Sequence, residues 1–245
     1  MKKISTFLSA ALLLAILSCT ANAHLLNTVE MWNTGVGASK PMTVWGGGLD
    51  GTDVYAGVYM FKKTNGSGEG KLWDNGTISG FCVELSEPAP EITTKYSVIP
   101  LEKGPFGGPM GAEKAGYISE LWGRFYDSSW ASGESYTQKQ NVQAASFAAA
   151  IWEILYEDLP VSPMKWDVKV DGTTGKGGFS TNFEYALANH WLHSLDGTGP
   201  KADLRILSYD GSQDYIVAVP EPTTVVLLGF GSLLSLLHKK RRRTI

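Results

Sequence analysis

The sequence predicts an α+β fold: an antiparallel β-sheet or barrel with an inserted layer of two to three helices. Three observations carry this expectation. Short stretches of alternating apolar residues, bounded by Gly, Pro, Asn and Asp, fill the first hundred residues and return near residue 204. Between them, apolar residues recur three and four apart, the period of a helix. Strands grouped at both ends with helices grouped between them point to an antiparallel sheet with a separate helical layer.

The segment after His24 is turn-rich. Residues 54–61 alternate as a strand, and 62–70 form a polar, glycine-containing loop. Asp74-Asn75-Gly76 is a turn signal, and 78–85 reads as a strand with Cys82 near its centre. Pro88 and Pro90 break the chain, and 96–101 is another short strand. Residues 103–111 hold four glycines and two prolines and form a loop.

The helices follow. Ala115, Ile118, Leu121, Trp122 and Phe125 share one helical face. Over 138–156, Val142, Ala145, Ala149, Trp152 and Tyr156 mark one face, while Ala144, Phe147, Ala148 and Ile151 cover much of the rest. A helix apolar on most sides is buried on most sides. Pro160 and Pro163 close this region, and 166–170 alternates as a strand ending at an Asp171-Gly172 turn. A third helix spans 183–195, and closing strands at 204–209 and 215–219 flank Asp210-Gly211.

Both ends of the chain read as addresses. Lys2-Lys3, the apolar run 7–17 and Ala21-Asn22-Ala23 form a secretory signal peptide over 1–23, cut by signal peptidase between Ala23 and His24. Cys19 offers a lipoprotein alternative, but Leu17 occupies a position where a small residue is usual. Residues 219–245 hold a Val-Pro-Glu-Pro breaker, an apolar run at 223–237 and five consecutive cations at 239–243. Such cations resist translocation and stay cytoplasmic. The apolar run falls short of the roughly 20 residues that span a bilayer comfortably, and Gly229 and Gly231 weaken it as a helix. It suits a transient anchor in the inner membrane, with a permanent C-terminal anchor as the alternative.

This tail resembles the PEP-CTERM sorting signal of Gram-negative bacteria, with Pro220, Glu221 and Pro222 as the motif. The resemblance implies recognition by a membrane-embedded exosortase, cleavage near the motif, and delivery to the cell surface or extracellular matrix. The chain then divides into the signal peptide 1–23, an extracellular body 24–218 and the sorting signal 219–245.

Removing both ends takes seven of the 21 Lys and Arg and one of the 24 Asp and Glu, so the body carries 14 cations against 23 acids, a formal charge near −9. Such a domain does not bind nucleic acid non-specifically. Cys19 leaves with the signal peptide, so Cys82 stands alone and closes no internal disulfide. A buried thiol, an intermolecular bridge or special chemistry remain as its uses.

Two body segments stand together: Phe81-Cys82-Val83-Glu84-Leu85, and the helix that runs from Gln143 through Ala150-Ile151-Trp152-Glu153 to Glu157. They resemble the Cys-Gln thioester domains of bacterial surface proteins. In that family a strand cysteine condenses with a glutamine on a facing helix, and the thioester acylates surface amines to give covalent adhesion. The family's glutamine lies four residues before the tryptophan, and here that position is Ala148. Gln143, five residues earlier, points about 140° away around the helix, and Gln138 and Gln140 lie further still.

Other constellations are weaker. His190 and His193 lie three apart without a completing ligand, so no metal site is expected. Glu153, Glu157 and Asp158 suit a solvated helix end better than an acid/base pair. Ser146 lacks a hydrolase context, and the glycine runs at 46–48 and 104–111 are loops rather than phosphate cradles, so no cofactor is expected. Trp32, Trp45, Trp73 and Trp130 suit either sugar stacking or core packing. The expectation is therefore a non-enzymatic, exosortase-processed surface or matrix protein working in exopolysaccharide or biofilm assembly or adhesion. Its alternatives are a covalent adhesin acting on surface amines through Cys82 and a nonstandard glutamine, and a carbohydrate-binding module.

Overall fold

The computed structural model describes residues 26–105, 108–170, 178–183 and 185–221. The signal peptide with Ala23 and His24, the Asp171-Gly172 turn, Pro222, the apolar run 223–237 and the basic tail lie outside the described residues.

Among the described residues, seven antiparallel strands and three α-helices follow in the order β1 (Thr28–Gly46), β2 (Leu49–Ser67), β3 (Gly76–Cys82), β4 (Thr94–Pro100), α1 (Gly111–Phe125), α2 (Gln138–Tyr156), β5 (Phe179–Thr181), α3 (Tyr185–His193), β6 (Leu204–Tyr209) and β7 (Ser212–Ala218). The sheet order is β2-β3-β7-β6-β4-β1-β5, and β1 also pairs with β2. Pairing therefore closes on itself: six strands form a ring, and β5 hangs on the far half of β1. All the pairings are antiparallel, as the sequence predicts.

The β1–β2 hairpin is the largest departure from the sequence reading. The turn-rich stretch after His24 is one 19-residue strand, and the expected loop at 62–70 is strand as far as Ser67. Register shifts between Glu30 and Met31, Asn33 and Gly35, Val36 and Ser39, and Val44 and Gly46 reset the alternation. Bulges of this kind add residues that break a period-two pattern and increase twist. Only the lower part of the hairpin belongs to the ring: Thr28–Met31 pairs with β4, and Tyr59–Lys63 pairs with β3. The upper part projects as a two-stranded arm, turned by Gly47 and Gly48 at φ +57° and +87°.

Helix α2 fills the angle between ring and arm, packing on both β1 and β2. Its N-terminus is a capping box: Thr137 Oγ1 accepts from Gln140 N at 3.2 Å, and Gln140 Oε1 accepts from Thr137 N at 2.9 Å. From Ala144 to Leu155 every residue is buried. The run of alanines lets the backbones of arm and helix approach closely. Residues 166–170, read as a strand, make no ladder; Trp166 and Val168 are buried as loop residues pinned by side chains.

Candidate functional site

Cys82 ends β3, where the ring changes the way it is held together. Strand β3 pairs with β2 only from Gly76 to Gly80, because beyond Tyr59 the second strand leaves for the arm. On its other side Phe81 and Cys82 pair with Ile216 and Tyr215 of β7, and Val83 N donates to Asp214 O at 3.0 Å. The vacated edge is taken by α2. Trp152 Nε1 donates to Cys82 O at 2.9 Å. One helical turn later, the Tyr156 hydroxyl donates to Val83 O and accepts from Leu85 N, both at 3.0 Å. Two side chains thus supply the hydrogen bonds a neighbouring strand would supply, as buried backbone groups require.

The thiol itself is dry. Cys82 is 2 % exposed and forms no disulfide. Burial pushes its pKa up to about 12, and the nearby Glu84 and Asp214 carboxylates add to this. The Glu84 backbone and the Trp152 indole N–H offset part of the rise. A thiol so held is protonated at every physiological pH, and a protonated, buried thiol is inert. Next to it Phe81 leads into an aromatic cluster, with its ring 5.0 Å from Phe147 and 5.5 Å from Trp122. Phe147 continues to Trp130 at 5.5 Å and Trp191 at 6.2 Å.

Ala148 is buried in α2 and carries no electrophile. Gln140 is consumed by the capping box and by Ser129, whose carbonyl accepts from Gln140 Nε2 at 3.2 Å. Gln138 is exposed and Gln143 half-buried. The sequence reading missed Gln213, the one fully buried glutamine among the described residues. It lies at a β6–β7 register shift two residues from Tyr215, the partner of Cys82. Its Nε2 donates to Glu84 O at 3.2 Å and Glu87 O at 3.3 Å. Its Oε1 closes no bond within 3.5 Å, although the Tyr59 hydroxyl is near enough to feel both it and Cys82. Nothing in the spacing of the sequence marks Gln213, because a bulge brings it here.

Glu84 lines a groove of about 360 Å³ with Gly47, Gly48, Ser86 and Tyr156. Partial burial, then the charges of Asp214, Glu87 and Asp210, push its pKa up to about 7.

The carboxylates of α2 correct the sequence reading. Glu153 and Glu157 are buried, not a solvated helix end, and only Asp158 is exposed. Glu153 Oε1 accepts from Asp167 N, and Glu157 Oε1 accepts from Phe179 N, both at 2.9 Å. They anchor the connection that follows the helix. Glu120 does the same on α1, accepting from Gly197 N at 2.7 Å and pairing with Arg124 at 2.7 Å. His193 Nε2 lies 2.7 Å from Trp166 O and His190 is exposed. Among the described residues no group of three His, Cys, Asp or Glu converges for a metal ion. Of the four tryptophans considered for sugar stacking, Trp73 and Trp130 are core, whereas Trp32 and Trp45 are on the surface.

The residues expected to form a sorting motif follow the last strand directly. Val219 N donates to Asp203 O at 2.8 Å, and Pro220 and Glu221 are exposed immediately after it. Among the described residues no helix is long and apolar enough to cross a membrane.

Comparison with family models, curated proteins and solved structures finds no match to this chain.

Two outcomes follow from the site. Trp152→Phe keeps an aromatic ring but removes the N–H bonded to Cys82 O and part of the buried ring volume; equilibrium unfolding should show a loss of at least about 1–3 kcal/mol. The Glu84 carboxyl has its folded pKa raised from 4.5 to about 7, so the folded state holds an extra proton in that window. Its contribution is therefore fully present below pH 4.5 and is lost as pH rises through 7. Glu84→Gln should melt higher than wild type at pH 7.5, and the gap should close by pH 4.5.

Proposed function

We propose that this chain is an exported, non-enzymatic surface or matrix protein, processed by signal peptidase and exosortase, that acts in exopolysaccharide or biofilm assembly or adhesion. The observation that carries the reading is the junction at Val219. The body completes its last strand at Ala218, and the Pro-Glu-Pro motif follows with almost no linker, its first two residues exposed. A processing enzyme can reach the motif without unfolding the body. The acidic charge of the body keeps it dispersed outside the cell. The plan of the body supports a likeness to thioester domains in one respect: a strand cysteine and a helix tryptophan meet at 2.9 Å through the strand carbonyl. In this reading Cys82 is a packing thiol, because Ala148 supplies nothing for it to attack.

A second reading rests on Gln213. Gln213 is a buried carboxamide two residues from Tyr215, the strand partner of the buried Cys82. A carboxamide brought into contact with a thiol is the pair from which an internal thioester forms, with loss of ammonia. The chain would then be a covalent adhesin for surface amines.

Intact mass of the protein recovered from the producing cell's surface or medium separates these readings. The expected result is termini near His24 and Pro220–Pro222 with no ammonia deficit. An ammonia deficit that vanishes with methylamine, and is absent from both Cys82→Ala and Gln213→Ala, would establish the thioester instead. An uncut C-terminus would overturn the exosortase assignment.

A further inference from the structure

The β1–β2 arm has two faces. Met42 and Val44 of β1 and Ala56 of β2 are buried on its inner face. The outer face carries Pro41, Thr43 and Trp45 on β1 opposite Tyr55 and Asp53 on β2. Ser180 of β5 extends it by pairing with Trp45. Trp45 is 38 % and Tyr55 61 % exposed. Other large apolar side chains are exposed elsewhere, but here two aromatic residues share one face of one hairpin, and exposed aromatics grouped on one face mark contact surfaces.

The geometry of Trp45 narrows what it contacts. Its indole atoms Nε1, Cε2 and Cζ2 lie 3.2, 3.6 and 3.7 Å from the point a Cβ on Gly51 would occupy. One edge of the indole therefore approaches the backbone at Gly51, where φ is +63° and no side chain stands in the way. With the residue 38 % exposed, part of the indole stays open to solvent beside Gly51. Between the two rings sits a polar rung, in which Thr43 Oγ1 donates to Asp53 Oδ1 at 2.7 Å. Pro41 faces Tyr55, and Trp45 follows four residues along β1, so the backbone positions that carry the two rings stand about 13 Å apart along the strand.

We infer that this outer face binds a neutral polysaccharide, a partner that rests on the surface-matrix reading above and adds the residues that make contact. Aromatic faces carry negative charge density and attract the C–H-rich faces of pyranose rings. The Thr43–Asp53 rung, with acceptor capacity left on the carboxylate, meets sugar hydroxyls between them. The spacing of the rings requires a chain of several sugars. The charges on the face are acidic, Asp53 with Asp50 beside it, and no Lys or Arg lies among its residues, so a polyanionic polymer is disfavoured. A protein partner would seek continuous apolar contact, which the central polar rung interrupts.

The test is native affinity electrophoresis of the body in gels cast with a β-glucan, a galactomannan or polyanionic alginate. Retardation is expected in at least one neutral gel and absent in alginate. Trp45→Ala and Tyr55→Ala should each weaken it at least tenfold. Trp45→Phe and Tyr55→Phe, which keep a ring, should retain most of it. Leu26→Ala, at a site 70 % exposed just before β1 and at the opposite end of that strand from Trp45, should match wild type. Equal unfolding midpoints for all variants would show that the ring, not the fold, is lost. No retardation in either neutral gel, retardation only in alginate, or retardation indifferent to both alanine variants would overturn the proposal. If the protein is nevertheless recovered from the surface with trimmed ends, the fault lies with this face and not with the sorted-surface reading.

Discussion

The rest of the structure depends on how β3 is held after β2 leaves it. A strand in a closed ring needs partners on both edges, and β2 departs at Tyr59 to build the arm. Trp152 and Tyr156, one helical turn apart, deliver an indole N–H and a phenol to the carbonyls of Cys82 and Val83 and the amide of Leu85. That substitution fixes the height and rotation of α2 against the ring. It also explains why the helix is buried on nearly every side: ring, arm and neighbouring helices all close on it. The dry environment of Cys82 is a consequence of the same seal.

Buried carboxylates secure the helical layer in a similar manner. Glu153 and Glu157 on α2, and Glu120 on α1, each accept backbone N–H groups from connecting segments. An acid buried in this way costs desolvation that its hydrogen bonds must offset. Its return is a fixed path for loops that form no ladder of their own. This is why β5, only three residues long, still finds the far half of β1: Glu157 accepts from Phe179 N at the start of that strand.

Much of this architecture was legible in the residues. The helical period over Gln138–Tyr156 and the alternation over Leu204–Tyr209 match the observed elements to the residue. The antiparallel sheet with helices between its strands was legible from the order of patterns. The 19-residue β1 was not, because its bulges and its Gly35, Gly37 and Pro41 imitate turns while the partner strand overrides them. The carboxylate anchors were hidden because acids at a helix end ordinarily face water, and the amide partners of the anchors lie up to 79 residues away. Cys82 and Trp152 were legible as a pair. Gln213 was not, because a register shift rather than a sequence period brings it toward them. Among the tryptophans in loop-like stretches, composition alone did not separate Trp45, partly exposed beside Gly51, from Trp130, packed against Phe147.

The seal on β3 is tested most directly by the reactivity of Cys82 toward a small thiol reagent under native conditions at pH 8. The account predicts negligible modification of the folded body, with one equivalent reacting only as the protein unfolds in denaturant. Its rate should then track unfolding. Stoichiometric labelling of the folded protein within minutes, without loss of structure, would contradict it and show that Trp152 and Tyr156 do not close the strand edge.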